Sequence, residues 1–387
     1  MPSSDPHDLT IEIKFDGQTS IAGDKGNVDL KNGQMIQRFH VDQKLGVPDY
    51  FQVQLNMTVF KDIVLLDKVK PGMAVEMKVG YGTEETIFKG EVSYIEPHFA
   101  AGEMFVTVSG YDNSHRLTRG TMSRAFGDGH KVNQGYGDVA GTLISDSKAG
   151  KGGASDGLGV SQAGKSDSKS AYIAYYNTSL YEAIRNTVGN FGMDWNSASH
   201  LDAKKVGLKT LEKGSKKLAI CRDKFDPAKE AQALSADFQL STVKQVSKVI
   251  VRSWDMAKKK AIKGEAEKAS LIIGGAAGYE QAGKAHFGSS SSGRVVEVTD
   301  LPVASVAEAK EVAESILGRL SMDWMTATVV IEGRPELHAG LIVELKEFGT
   351  RYSGEYLIEG CTHVFIASSG QTYKTYLSLV RNGSPEP

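Results

Sequence analysis

Along the first ~118 residues, apolar and polar side chains alternate. Met73, Val75, Met77 and Val79 are apolar, with Ala74, Glu76 and Lys78 between them, which is the two-residue period of a strand with one buried face. The stretches TIFKGEVSYIEPHF and EMFVTVSGYD continue the pattern up to Asp112, punctuated by Gly and Pro. The reading is an antiparallel β domain of barrel type.

From Gly120 the period lengthens. In NTSLYEAIRNTVGNFG, Leu180, Ala183, Ile184, Val188 and Phe191 share one helical stripe, Ser179 and Glu182 form a capping box, and Gly189 and Gly192 mark the end. A second capped helix spans 305–320, with Ser305 and Glu308 as its box and Val306, Ala309, Ala313, Ile316, Leu317 and Leu320 as its apolar face. Residues 145–170 are rich in Gly, Ser and Lys and predict a mobile surface loop. Strand-like alternation returns at DFQLSTVKQVSKVIVRSWD (237–255) and in four stretches between 326 and 383.

The fold class expected is mainly β with α+β insertions: two related antiparallel β-barrel domains plus an α/β connecting domain. The boundaries read as 1–118 for the first barrel, 119–236 for the connecting domain, and 237–262 with 326–383 for a split second barrel. Residues 263–325 are then a helical insertion belonging with the connecting domain. On this reading 237–258 lies in one sheet with 326–383, and the helix at 305–320 packs elsewhere.

The two β regions also repeat each other. Gly72, Val75, Glu76, Met77 and Lys78 return 268 residues later as Gly340, Val343, Glu344, Leu345 and Lys346. FKG and EPHF follow the first copy, and YSG and THVF follow the second. Strand, turn and strand recur in one order, so residues 72–110 and 340–382 are expected to be equivalent strands of a duplicated barrel.

Composition narrows the class. A chain of 387 residues exceeds the usual size of one core and suggests two to four domains. Lys and Arg number 45 against 47 Asp and Glu, so no basic excess points to nucleic acid. Cys221 and Cys361 are far apart and lack the spacing of a disulfide framework or zinc site. The polar N-terminus carries no signal pattern and no apolar run approaches the ~20 residues of a membrane span. Synthesis and folding in the cytoplasm are expected.

Catalytic motifs are sparse. Asp112, Ser114 and His115 supply the residue types of a hydrolase triad, but neighbours along a strand point to opposite faces and cannot converge. A structural role is expected, with Asp112 and Arg116 or His115 tying the end of the first barrel to its exit loop. The one G-x-S-x-G text, GASDG at 153–157, lies in the stretch rich in Gly, Ser and Lys and not between a strand and a helix, so it is not read as a nucleophile elbow. GYGDVA (135–140) lacks the βαβ context of a dinucleotide site, and His338 and His363 lack partners at metal-ligand spacing. The lysines between Asp255 and Lys268 are interleaved with acids and read as a solvated turn. Trp254 and Trp324 suit either an interface core or a β core. No catalytic, cofactor or metal residue is assigned.

Five ordered segments carry a resemblance: GYDNSHRLTRG (110–120), VRSWD (251–255), DLPVASVAEAKEVAES (300–315), EGRPELHAG (332–340) and YKTYLSLVRN (373–382). Together they resemble the phage late-control D proteins, the baseplate hubs of contractile phage tails. These are similar to the hub part of VgrG-type proteins and of extracellular contractile injection systems. The resemblance implies two related barrels per chain and a homotrimer, whose six barrels match a sixfold inner tube on one face and a threefold spike on the other. Implied partners are further copies of the chain, an inner tube or tube-initiator protein, a separate spike protein and other baseplate proteins, with no nucleic acid and no membrane span. The chain would work within an assembled phage-tail-like particle.

The chain departs from the VgrG pattern in stopping at RNGSPEP, without room for a neck and needle. The expected function is a structural adaptor; a baseplate-associated cell-wall hydrolase or an effector carrier are the alternatives. Aromatic anchors between chains are expected among Trp254, which precedes Asp255 in VRSWD, Trp324 and Tyr356.

Overall fold

The computed structural model describes residues 9–18, 20–23, 26–29, 35–58, 68–126, 139, 142–143, 159–162, 173–189, 193–197, 205–210, 218–223, 226, 229–256, 258–269, 272–275, 294–301, 303–367 and 372–383. The chain is mainly β. It opens with β1 (Leu9–Phe15), a hairpin of β2 (Ser20–Gly23) and β3 (Gly26–Asp29), then β4 (Ile36–Lys44), β5 (Tyr50–Asn56), β6 (Ala74–Tyr81), β7 (Glu85–Ala100) and β8 (Glu103–Tyr111). After a 3-10 turn at Asn113–Thr118, β9 (Met122–Phe126) pairs with β11 (Ile173–Thr178). β10 (Gly159–Gln162), β12 (Met193–Ser197) and β13 (Lys205–Thr210) form a small sheet, and helix α1 (Leu180–Gly189) lies against β12.

The second half holds β14 (Leu218–Cys221), β15 (Glu230–Leu240), β16 (Lys248–Asp255), β17 (Lys260–Ala266), β18 (Val295–Val298), helix α2 (Val306–Met322), β19 (Met325–Glu332), β20 (Ile342–Lys346), β21 (Gly354–Ile366) and β22 (Thr372–Arg381). Within the expected loop at 145–170, only β10 falls among the described residues.

Twelve strands form one sheet, in the order β1-β6-β7-β8-β5-β4-β21-β20-β14-β15-β19-β22, and β21 also pairs with β22. That last pairing closes β21, β20, β14, β15, β19 and β22 into a six-stranded barrel. The first six strands take the same order. In each half the strands, counted along the chain, lie first, fourth, fifth, sixth, third and second.

The register repeats as well as the order. Ala74, Val75, Glu76 and Met77 face Glu91, Gly90, Lys89 and Phe88, just as Ile342, Val343, Glu344 and Leu345 face Leu357, Tyr356, Glu355 and Gly354. A bulge between Val92 and Tyr94 in β7 matches one between Ile358 and Gly360 in β21. Another after Ile36 in β4 matches one after Ala233 in β15. Gly72 and Gly340 have φ of 89° and 91°, a left-handed conformation that favours glycine. Each donates at 2.8 Å, to Val92 O and Ile358 O respectively. This shared turn explains why the G-x-x-V-E-x-K text appears twice.

The halves differ at their first strand. β1 runs antiparallel to β6, whereas β14 runs parallel to both β20 and β15 and closes its barrel. β4 instead gives its outer edge to β21, with Arg38–Lys44 facing Gly360–Ile366. Phe365 and Tyr373, from the second half, therefore sit in the first core with Phe39, Phe51 and Phe88.

One expectation is corrected. Lys248–Asp255 does not join the sheet of 326–383 but pairs with β17 and β18 in a separate three-stranded sheet, on which α2 packs. Of that stretch, the part ending at Leu240 pairs with β19. Gly264 lets the helix backbone come close: a β-carbon there would lie 2.2 Å from the Ala309 carbonyl carbon.

Candidate functional site

The triad-like residues at the end of β8 are held apart in roles that exclude a relay. Asp112 is fully buried and caps the 3-10 turn, accepting from Ser114 N at 2.9 Å and from Ser114 Oγ at 2.6 Å. His115 Nδ1 is 2.6 Å from the Asp112 carbonyl, so it carries the proton, and Nε2 faces the Arg119 guanidinium. Burial, then the Arg119 charge, hold His115 below its ordinary pKa. The serine hydroxyl thus bonds the aspartate rather than the imidazole, which is not the serine–histidine–aspartate order of a relay.

Arg116 completes the knot. Its Nε donates to Glu91 Oε1 at 2.9 Å, linking the turn to β7, and His115 Nε2 lies 3.4 Å from the same oxygen. Burial alone would raise the Glu91 pKa, but Arg116, with His115 and Arg119, outweighs it and holds the carboxyl below its ordinary value.

The matching position in the second barrel is Arg381, since Tyr111 and Val380 occupy equivalent places opposite Glu91 and Leu357. Arg381 is fully buried, lies 4.4 Å over the Tyr356 ring, and donates to Ser353 O at 2.8 Å and to Arg351 O. Each barrel's sixth strand is therefore followed or ended by a buried charged side chain with opposite sign.

His363 sits where the two cores meet. Its Nε2 is 3.1 Å from Leu337 O and 3.5 Å from Cys361 Sγ, and Tyr373 donates its hydroxyl to Nδ1 at 2.8 Å. Burial lowers its pKa from 6.5 to about 4. Below pH 6.5 the unfolded chain takes up a proton that the folded chain refuses until about pH 4. Stability should fall through that window and level off beneath it, at a full cost of about 3 kcal/mol. Urea midpoints of wild type and His363→Gln between pH 7 and 4 check this: their difference should vary with pH, and a constant difference would refute it.

The aromatic anchors separate. Tyr356 is wholly inside the barrel and Trp324 is 7% exposed, so the expectation that they bridge chains is corrected: their own chain already covers them. Trp254 is 55% exposed, beside Met256 at 81%. Asp255 accepts from Lys258 N at 3.0 Å and shapes that hairpin turn. An open cleft of about 420 Å³ is lined by Ser179, Tyr181, Glu182, Arg185, Asn186 and Arg319. Among the described residues no three His, Cys, Asp or Glu converge as metal ligands, and no helix is long and apolar enough to cross a membrane. Of GYGDVA, only Val139 is described.

Known structures share this fold. The chain is similar to the 43 kDa tail protein of prophage MuSo2 from Shewanella oneidensis, at a TM-score of 0.66 and 14% identity over 97% of this chain and 98% of that one. It is similar to the tail protein from Neisseria meningitidis MC58, at 0.65 and 12% over 98% and 99%. The E. coli c3393 protein, described as a type VI secretion component, matches at 0.58 and 10% over 97% and 80%. A family described as the Alg8 N-terminal domain matches residues 230–366. That span is less than half of the chain, begins after β14 and stops before β22, so it omits two strands of the closed barrel. No curated protein matches the chain.

Proposed function

We propose that this chain is a structural component of a contractile tail-like machine: a homotrimeric baseplate hub that joins a sixfold inner tube to a threefold spike. The observation that carries the reading is the repeat of strand order, register and bulges between the two halves of one chain. Three copies of such a chain offer six similar units, which suits a threefold-to-sixfold junction. Likeness along nearly the whole length of two tail proteins supports it. A structural rather than enzymatic role fits the bonding of Asp112, Ser114 and His115 to backbone and to one another.

The partners proposed are further copies of the chain, a tube or tube-initiator protein, a separate spike and other baseplate proteins. Trp254 is the anchor with surface to offer them. Native mass spectrometry of the purified chain should give three times 41.7 kDa, either alone or, once its spike is added, with the mass of the spike on top. A closed twofold dimer, or a monomer in the assembled particle, overturns the reading.

A further inference from the structure

The hairpin of β16 and β17 has two apolar regions, and α2 covers one of them. Val249, Val251, Ile262 and Ala266 are buried in one core with Ala309, Val312 and Ala313 of the helix. The opposite face carries charge, and there the charge is balanced: Arg252 pairs with Glu297, and Glu265 with both Lys248 and Lys263. The second apolar region is the tip. Trp254, opposite Ala261 in the last pair but one before the turn, and Met256 beyond it are both exposed.

Charge at this tip is not balanced. Lys258, Lys259 and Lys260 follow one another there. Lys258 Nζ reaches back to Asp255 at 3.2 Å, and the other oxygen of that carboxylate accepts from Lys258 N, so the one acid of the tip is already engaged. Lys259 and Lys260 have no ion pair among the described residues. The acids that alternate with lysines further along the sequence do not reach the turn, since Glu265 is held within β17 by Lys248 and Lys263. The hairpin thus ends in two large apolar side chains and a net positive charge.

We propose that this tip seats in an anionic lipid surface, with Trp254 and Met256 entering the headgroup layer and Lys258, Lys259 and Lys260 meeting the lipid phosphates. Tryptophan favours the boundary of water and hydrocarbon, where its ring is apolar and its N–H stays wet. Lysine lays its apolar stem along the same boundary and keeps the ammonium at the phosphates. A pocket on another protein is the competing occupant, and the cations weigh against it. Lysine is depleted and arginine enriched where proteins bind each other, yet from Ser253 to Ala261 the tip has lysine and no arginine. Each lysine near an anionic surface strengthens binding roughly fivefold, so one tip binds weakly and reversibly. The proposal goes beyond the hub reading and applies to the chain whether or not it is a trimer.

The test is co-sedimentation of the full-length chain with vesicles of phosphatidylcholine and phosphatidylglycerol in equal parts, and with vesicles of phosphatidylcholine alone. The chain should pellet with the anionic vesicles only, and less so as salt is raised; its tryptophan emission should shift to the blue. Lys259→Asn with Lys260→Gln should weaken binding roughly twenty-five-fold, at about fivefold for each lysine. Asparagine suits position 259 because Lys259 has a φ of 51°, which asparagine tolerates. Trp254→Ser should weaken binding and abolish the blue shift, with the urea midpoint of each variant unchanged. A wild type that does not pellet, or pelleting that neither variant reduces, overturns the proposal. Wild type that ignores vesicles but holds its spike in native mass spectrometry, where Trp254→Ser does not, assigns the tip to protein and likewise overturns the lipid reading.

Discussion

Replacing Arg381 with Met should destabilise the chain by about 3–5 kcal/mol. The methionine fills much of the volume but leaves the Ser353 and Arg351 carbonyls facing an apolar side chain inside a closed barrel. Each buried acceptor left without a partner costs about 1–3 kcal/mol, and bonds to a charged donor are worth more than neutral ones. The contact with the Tyr356 ring is lost as well. Lysine keeps the charge but presents a point donor in place of a planar fork, so Arg381→Lys should fall between wild type and Met. Urea unfolding with an unchanged slope reads this directly. A midpoint shift worth less than about 1 kcal/mol for Met would show that solvent reaches the carbonyls and that the buried cation adds little to the barrel's stability.

Gly264→Ala should cost about 1–3 kcal/mol or more, though it adds one methyl group. That carbon would sit 2.2 Å from the Ala309 carbonyl carbon and 2.3 Å from Lys310 N. Both are backbone atoms within α2, so no side chain can turn aside, and the helix must lift from β17. Hydrogen exchange should show α2 and β16–β17 losing protection together while the closed barrel keeps its own. Equal loss in the barrel would mean that the three-stranded sheet and the barrel unfold as one unit.

Much of this architecture can be read from the residues. The alternation around Met73–Val79 marks β6, and both capping boxes precede the helices: Ser305 Oγ accepts from Glu308 N, and Ser179 Oγ accepts from Glu182 N. The repeated glycine text survives because one left-handed turn is needed twice.

Periodicity reports which side chains are covered and not what covers them. VIVRSW alternates as a barrel strand would, yet β16 builds a different sheet. The strand that closes the barrel, LAIC at β14, has four residues and no visible period. β15 has an open edge and only Ala231 fully buried, so its burial does not alternate cleanly. Tyr356 and Trp324 show the same ambiguity at single residues, since an aromatic in a strand is apolar whether its own barrel or another chain receives it. The knot of Glu91 with Arg116 joins residues 25 apart in sequence, a separation at which local pattern carries no signal.

The sharing of β21 between the halves has a mechanical consequence. Seven residue pairs hold Arg38–Lys44 against Gly360–Ile366. A load that slides one half along the other pulls parallel to these strands. Its hydrogen bonds then bear the force side by side and must rupture nearly together, unlike a hairpin peeled open one bond at a time. Survival under such a load is set by the height of an unfolding barrier rather than by equilibrium stability. The joint is therefore stiffest along its strands and weaker to peeling from an end, such as that of Ile366. A single-molecule pull along the strands should meet a higher rupture force than one that peels β4 from that end.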